Sequence, residues 1–315
     1  MLHTHWAVGE QSVDLAGQAL ERLPDGLQSR SDLRFLNAGK AGLTRLPDWI
    51  GALSRLQGLS AHGNQLGALP ESLFGLRALE VLNLGENRLT RLSPAIAQLA
   101  ALRMLDVGHN QLGVLPDELG SLLQLEFLYA SDNGLEELPD AITGLQALRY
   151  LNVADNRLTS LPDTLGRLQG LLELRLYDNE LGSLPASLGA LTRLRELHAM
   201  NNRLTALPDT LGGLCELRRL DLQNNVLTAL PPSLGGATRL AELTLRFNRL
   251  AVLPANFAAL TRLRSVDLRA NRFRHVPEEL RCLPELEKLD LRWNPLTAEP
   301  SWMGELEARG CVVLL

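Results

Sequence analysis

Residues 148–170 read LRYLNVADNRLTSLPDTLGRLQG, and the same frame recurs along the chain with small edits. Leucine opens a unit at Leu33, Leu56, Leu79, Leu102, Leu125, Leu148, Leu171, Leu194, Leu217, Leu240, Leu263 and Leu286, every step being 23 residues. The frame is LxxLxLxxNxLxxLPxxLxxLxx; in the quoted unit its fixed letters are Leu148, Leu151, Val153, Asn156, Leu158, Leu161, Pro162, Leu165 and Leu168. A strict period of this length is the mark of a solenoid built from one stacked supersecondary unit. Upstream, Val13, Leu15, Leu20, Leu23, Pro24 and Leu27 continue the register, with Gln18 in the asparagine slot. Downstream, Val312 and Leu314 are expected as the inward residues of a further strand. The chain therefore reads as a single solenoid domain over 1–315. It has a cap and degenerate repeat in 1–32, twelve repeats in 33–308 and a capping strand in 309–315.

The fixed letters have physical reasons. In LxLxx successive side chains face opposite sides, so positions 4 and 6 point inward while 3, 5 and 7 point outward. One such strand cannot bury its apolar face alone, whereas stacked copies share a continuous core. Asparagine holds position 9 in every unit from Asn64 to Asn294. Its amide both donates and accepts, so it can pair turn backbone groups that would otherwise be buried alone. The proline after position 14 lacks an N–H and ends strand pairing. Departures are few: Ala41 stands in one asparagine slot, and one proline shifts to the Ser93–Pro94 step.

This frame closely resembles the leucine-rich repeat family over nearly the whole chain. Its LPxxLGxL half is similar to the intracellular 23-residue class, which includes Ras-linked scaffolds and many bacterial proteins, among them effectors delivered into host cells. The resemblance implies an α/β leucine-rich-repeat solenoid, a horseshoe. A curved parallel β-sheet would line the concave face, with short helical, 3₁₀ or extended turns on the convex face. It also implies non-catalytic binding of a protein partner by the concave face; the alternative is an effector that binds or masks a host protein. Some bacterial relatives carry a ubiquitin-ligase or kinase domain beside the repeats, and these 315 residues leave no room for one.

The variable outward positions carry the candidate site. Positions 3, 5, 7 and 8 hold Phe35, Phe127, Tyr129, Tyr150, Tyr177, Phe247 and Trp293, seven of the chain's 13 aromatics. Exposed Tyr and Trp on a rigid surface are typical interface anchors. Asp132, Asp155 and Asp178 form an acidic row at position 8, one per rung. They invite a basic partner, or else serve turns in which Asp is common. Arg175, His198 and Met200 complete this central group. A second group contains Arg246, Arg269 and Arg292 at position 7 with Phe247 and Trp293 beside them, and Asp267 and Asp290 at position 5. Arginine and aspartate two residues apart share a strand face, so this patch is expected to pair internally, the functional alternative being a fork for a partner's carboxylate or phosphate.

Composition narrows the function. The four outward positions carry eleven acidic and seven basic residues, net −4, and the whole chain has net charge −5. Nucleic-acid binding needs a positive phosphate track, so it is not expected. Only Lys40 and Lys288 are lysines, a scarcity that fits GC-rich bacterial coding. Cys215, Cys282 and Cys311 lie far apart, in no metal-site or disulfide spacing, and no Asn-x-Ser/Thr sequon occurs. The start, MLHTHWAVGE, lacks a basic stretch followed by an apolar run, and no apolar run has membrane-spanning length. A cytoplasmic protein without membrane contact is expected, the alternative being export by a specialised secretion signal. His62, His109 and His198 stand on different rows, and no serine or cysteine has a histidine at a neighbouring strand position. Neither catalysis, a metal nor a cofactor is expected; His3 and His5 read as a frayed end. A weak homodimer through a terminal strand edge is the one self-association expected.

Overall fold

The computed structural model describes residues 9–315, so His3 and His5 lie outside it. The chain divides into two compact units, the first ending at Asn156 and the second beginning at Arg157.

In the first unit seven strands are three residues each: β1 (Ser12–Asp14), β2 (Phe35–Asn37), β3 (Gly58–Ser60), β4 (Val81–Asn83), β5 (Met104–Asp106), β6 (Phe127–Tyr129) and β7 (Tyr150–Asn152). Each pairs in parallel with the next, with inward residues aligned, as in Leu36↔Leu59 and Leu59↔Leu82. The second unit repeats this with β8 (Glu173–Arg175), β9 (Glu196–His198), β10 (Arg219–Asp221), β11 (Glu242–Thr244), β12 (Ser265–Asp267), β13 (Lys288–Asp290) and β14 (Val312–Leu314). Its register is equally strict, as in Leu197↔Leu220 and Leu220↔Leu243. Inward residues at positions 4 and 6, such as Leu82, Leu84, Leu220 and Leu222, are fully buried.

The return path is a 3₁₀ turn in most units, as at Asp48–Ala52, Asp117–Ser121 and Ala186–Ala190, each entered from an extended proline. The glycine of LPxxLGxL has a steric cause. A Cβ on Gly120 would lie 2.0 Å from Ala141 O, and one on Gly212 2.0 Å from Ser233 O. Successive turns thus pack closer than any side chain permits.

The asparagine expectation is met in detail. Asn87 Nδ2 donates to Ala61 O and Leu84 O, both at 2.9 Å, and to Gly85 O at 3.1 Å, while its Oδ1 accepts from Leu66 N–H at 3.0 Å. In the second unit Asn202 donates to Leu176 O, Ala199 O and Met200 O and accepts from Leu181 N–H. One amide therefore joins the backbones of adjacent rungs.

Two end features differ from expectation. The last return path is a true α-helix, α1 (Met303–Ala308), and it lengthens the final step by one residue. Val313, not Val312, therefore aligns with inward Leu289, and Val312 aligns with outward Lys288 and is 56% exposed. Leu314 likewise aligns with Asp290, not with an inward position. Cys311 immediately precedes the last strand and is buried, whereas Cys215 and Cys282 are exposed.

Replacing Asn87 by Ala strips partners from buried backbone groups on two rungs. It is expected to lower unfolding free energy by about 3 kcal/mol, several such groups being left unpaired at roughly 1–3 kcal/mol each at most. Urea unfolding measures this, and a loss below about 1 kcal/mol would show that water replaces the amide.

Candidate recognition face

Position 8 holds a left-handed residue. Its φ is 53° at Lys40, 49° at Asp132, 55° at Asp155 and 54° at Asp178. That region tolerates Gly, Asn and Asp and penalises bulky side chains. The acidic row expected from the sequence is thus first a consequence of turn geometry. Its carboxylates also find local partners: Asp132 Oδ2 lies 2.9 Å from His109 Nδ1, and Asp178 Oδ1 accepts from Asn201 Nδ2 at 2.7 Å. Position 5 has a similar local role. The Oδ1 atoms of Asn37, Asn83 and Asp106 accept from Gly39, Gly85 and Gly108 N–H at 3.0–3.1 Å.

In the first unit the aromatic residues do come together. Tyr129 and Tyr150 have ring centroids 4.8 Å apart, and Phe127 lies 6.5 Å from Tyr150. All three rings are half-buried. Asp132 and Asp155 stand exposed beside them. In the second unit Tyr177, His198 and Met200 are half-buried on the outward side. Arg175 Nε donates to Glu173 Oε1 at 2.6 Å, and His198 Nε2 lies 3.1 Å from Glu196 Oε2. Candidate ligand atoms of Glu173, Glu196 and His198 fall within 4.8 Å of one another, the one such grouping among the described residues. Its members are already engaged with Arg175 or with each other.

The arginine patch pairs internally, as its spacing suggested. Arg269 Nε and Nη2 meet the Asp267 carboxylate at 3.0 and 2.5 Å; Arg292 meets Asp290 at 3.0 and 2.7 Å. Arg269 Nε also lies 3.4 Å from Asp290 Oδ2, and Arg246 Nε 3.9 Å from Asp267 Oδ2. Asp290 is the hub. Its burial alone would raise its carboxyl, but Arg292 hydrogen bonds and the charges of Arg269 and Arg292 hold it below the ordinary carboxylate value.

Beside this network stand two aromatics in the strained position. Phe247 has φ 56° and Trp293 φ 63°, with Ala270 at 51° on the rung between. Their rings are 6.1 Å apart, and Trp293 is 66% exposed. The guanidinium carbons of Arg269 and Arg292 lie 5.9 and 6.0 Å from the Trp293 ring centroid, within cation–π range.

One feature of the outward face escaped sequence reasoning. In the first unit a cleft of about 540 Å³ is lined by Asn37, Gly39, Lys40, Ser60, His62, Asn83 and Asp106, with Ala16 and Gly17. Its signal was the run of glycines at position 7, Gly39, Gly85 and Gly108, interrupted only by His62.

The leucine-rich repeat region family model matches residues 91–203 and 186–308, and the leucine rich repeat model matches residues 54–112. The chain belongs to the leucine-rich repeat family, and its fold is a leucine-rich-repeat solenoid. It is similar to a leucine-rich repeat protein of Leptospira interrogans, with 29% identity over 94% of this chain and 82% of that one at TM-score 0.82. It is also similar to the ectodomain of the Arabidopsis thaliana receptor kinase GASSHO1/SCHENGEN3, solved in complex with CASPARIAN STRIP INTEGRITY FACTOR 2. That match has 32% identity and TM-score 0.76 and spans 90% of this chain but 36% of the ectodomain. An internalin of Listeria monocytogenes shares the fold at 21% identity and TM-score 0.77, over 96% of this chain and 79% of that one. No curated protein matches the chain. Proteins of this family are typically protein-interaction scaffolds. Among the described residues no helix is long and apolar enough to cross a membrane.

Asp290→Asn removes the hub charge and is expected to cost about 1–3 kcal/mol at pH 7, the range for leaving a buried partner unmatched. Because the folded-state value of Asp290 is depressed, its contribution is present above the ordinary carboxylate value and is lost as pH falls through the lower folded value. The gap between native and variant melting temperatures should therefore close below pH of about 4. A gap unchanged between pH 7 and pH 3 would contradict the hub role.

Proposed function

We propose that this chain is a non-catalytic scaffold that binds a protein partner through the outward face of its sheets, with Phe247 and Trp293 as an anchor. The strained aromatics carry this reading. A turn position suited to Gly, Asn or Asp holds two large exposed rings two rungs apart, whose contacts are with each other and with Arg269 and Arg292. Bulky residues kept in a disfavoured backbone region are a mark of function over stability. The flanking arginines are held by aspartates, so the platform is pre-ordered and little side-chain entropy remains to be lost on docking.

Phe127, Tyr129 and Tyr150 in the first unit, with Asp132 and Asp155, form a second contact area for the partner. In the second unit Arg175, Tyr177, Asp178, His198 and Met200 are further contact residues, as are Arg246, Arg269 and Arg292. The similar plant receptors support binding of this kind: besides the GASSHO1/SCHENGEN3 complex, the peptide hormone receptor RGFR1 is solved with RGF2. The reading places the protein in the cytoplasm.

The test replaces Phe247 and Trp293 together by Asn, which suits a left-handed position. Bait pull-downs from lysate of the source organism are expected to lose the partner captured by native protein. The melting temperature should stay level or rise, since relieved strain of order 1 kcal/mol per residue offsets the lost ring contacts. Undiminished capture would remove the anchor role; a large drop in melting temperature would make the rings structural. The companion variant Tyr129→Ala/Tyr150→Ala is expected to weaken capture while keeping the fold.

A further inference from the structure

The cleft of the first unit has a chemistry of its own. Asp106, at the end of β5, is half-buried and lies against Gly85, where a Cβ would come within 3.1 Å of its Oδ1. Glycine at that point is what admits the carboxyl to the floor. Among the described residues no arginine or lysine pairs with Asp106. Its Oδ1 takes the Gly108 N–H, and the cationisable groups acting on it are His62 and His109. This contrasts with Asp267 and Asp290 in the second unit, both held by arginine. His62 lines the same cleft. Its Nε2 lies 3.6 Å from Glu86 Oε2, while its Nδ1 is buried and has no hydrogen-bond partner. With the ring proton on the side of Glu86, Nδ1 is an unused acceptor. Ser60 adds a buried hydroxyl.

These groups are acceptors waiting for a donor. At the other end the pattern reverses. Asn37 and Asn83 spend their Oδ1 on backbone N–H groups, so their Nδ2 groups remain to donate. Exposed Lys40 follows β2, three rungs from Asp106. At roughly 4.8 Å per rung the two charges stand at least about 14 Å apart, the span of four residues of extended peptide.

We propose that this cleft binds an extended segment of a protein partner, seating an arginine side chain on Asp106 and an acidic side chain, four residues away, on Lys40. The guanidinium has five donors and no acceptor, which suits the Asp106 carboxylate, and Ser60 lines the same cleft two rungs away. The two asparagine amides meet carbonyls of the bound backbone. The site deepens the protein-recognition reading and rests on it, but uses a different face region from Phe247 and Trp293.

Affinity has a defined pH sign. Burial lifts the Asp106 carboxyl above its ordinary value, so protonation competes with the arginine as pH falls. Glu86 faces His62 and Asp132 faces His109. Binding therefore weakens as pH falls through the raised Asp106 value.

The probe is the peptide acetyl-Arg-Ala-Ala-Ala-Glu-amide, read by amide shifts of Gly39, Gly85 and Gly108 in ¹H–¹⁵N spectra of the full chain. Shifts at pH 7.5 that fade as the pH is lowered, and that vanish for the citrulline analogue and for Asp106→Asn, are expected. No shifts, equal shifts with citrulline, or equal shifts in Asp106→Asn would each overturn the assignment. Displacement of the peptide by millimolar Mg²⁺ alone, with equal shifts from the ion, would make it a cation site instead. Phe247→Asn/Trp293→Asn is expected to keep the peptide shifts, so loss of partner capture in that variant and failure of the cleft are told apart.

Discussion

The side-chain amide of the repeated asparagine is the interaction on which the rest depends. Three-residue strands are too short to hold a sheet by themselves, and the chain must turn sharply after each one. The turn buries carbonyls and N–H groups that helix or sheet pairing cannot reach. Asn87, Asn110 and their equivalents take these groups from two rungs at once, so one rung is complete only when the next is present. That reciprocity makes the period rigid: a residue inserted between rungs would move the amide away from the carbonyls it serves. Where the period does lengthen, before β14, an α-helix replaces the 3₁₀ return and the pattern has no further asparagine to satisfy.

The turn also shapes what the face can display. Because position 8 is left-handed, the aspartates and asparagines there answer first to backbone geometry. The aspartates and asparagines of position 5 answer to the N–H two residues on. Residues that look free in the sequence are thus partly committed. Phe247 and Trp293, like Lys40, Glu86 and His109, place a long side chain on the left-handed turn. Asp106 accepts from the Gly108 N–H as its position requires, but lacks the arginine ion pair of Asp267 and Asp290.

The two units treat charge differently. In the second, Arg246, Arg269 and Arg292 bind Asp267 and Asp290 into a network beside Trp293. In the first, Glu86 faces His62, Asp132 faces His109, and Asp106 has no arginine or lysine partner among the described residues. Similar composition therefore gives one internally paired platform and one cleft whose carboxylate Asp106 has no arginine or lysine partner among the described residues.

The sequence by itself determined the repeat, the inward and outward positions, the role of asparagine and the pairing of Arg269 and Arg292 with aspartates two residues back. All of these follow from a strict period and from contacts within a strand or between identical rungs. Only the tertiary structure decided how the outward residues pair and which of them stand exposed. The left-handed angle at position 8 separates turn aspartates from misplaced aromatics. The cleft lined by Gly39, Ser60, His62, Asn83 and Asp106 draws on four successive rungs of the first unit. The final slip from Val312 to Val313 belongs here too, because it turns on whether the last return is a 3₁₀ turn or a helix. Spacing in a repeat encodes position along one axis. Depth, pairing across rungs and the absence of a partner are properties of the folded surface.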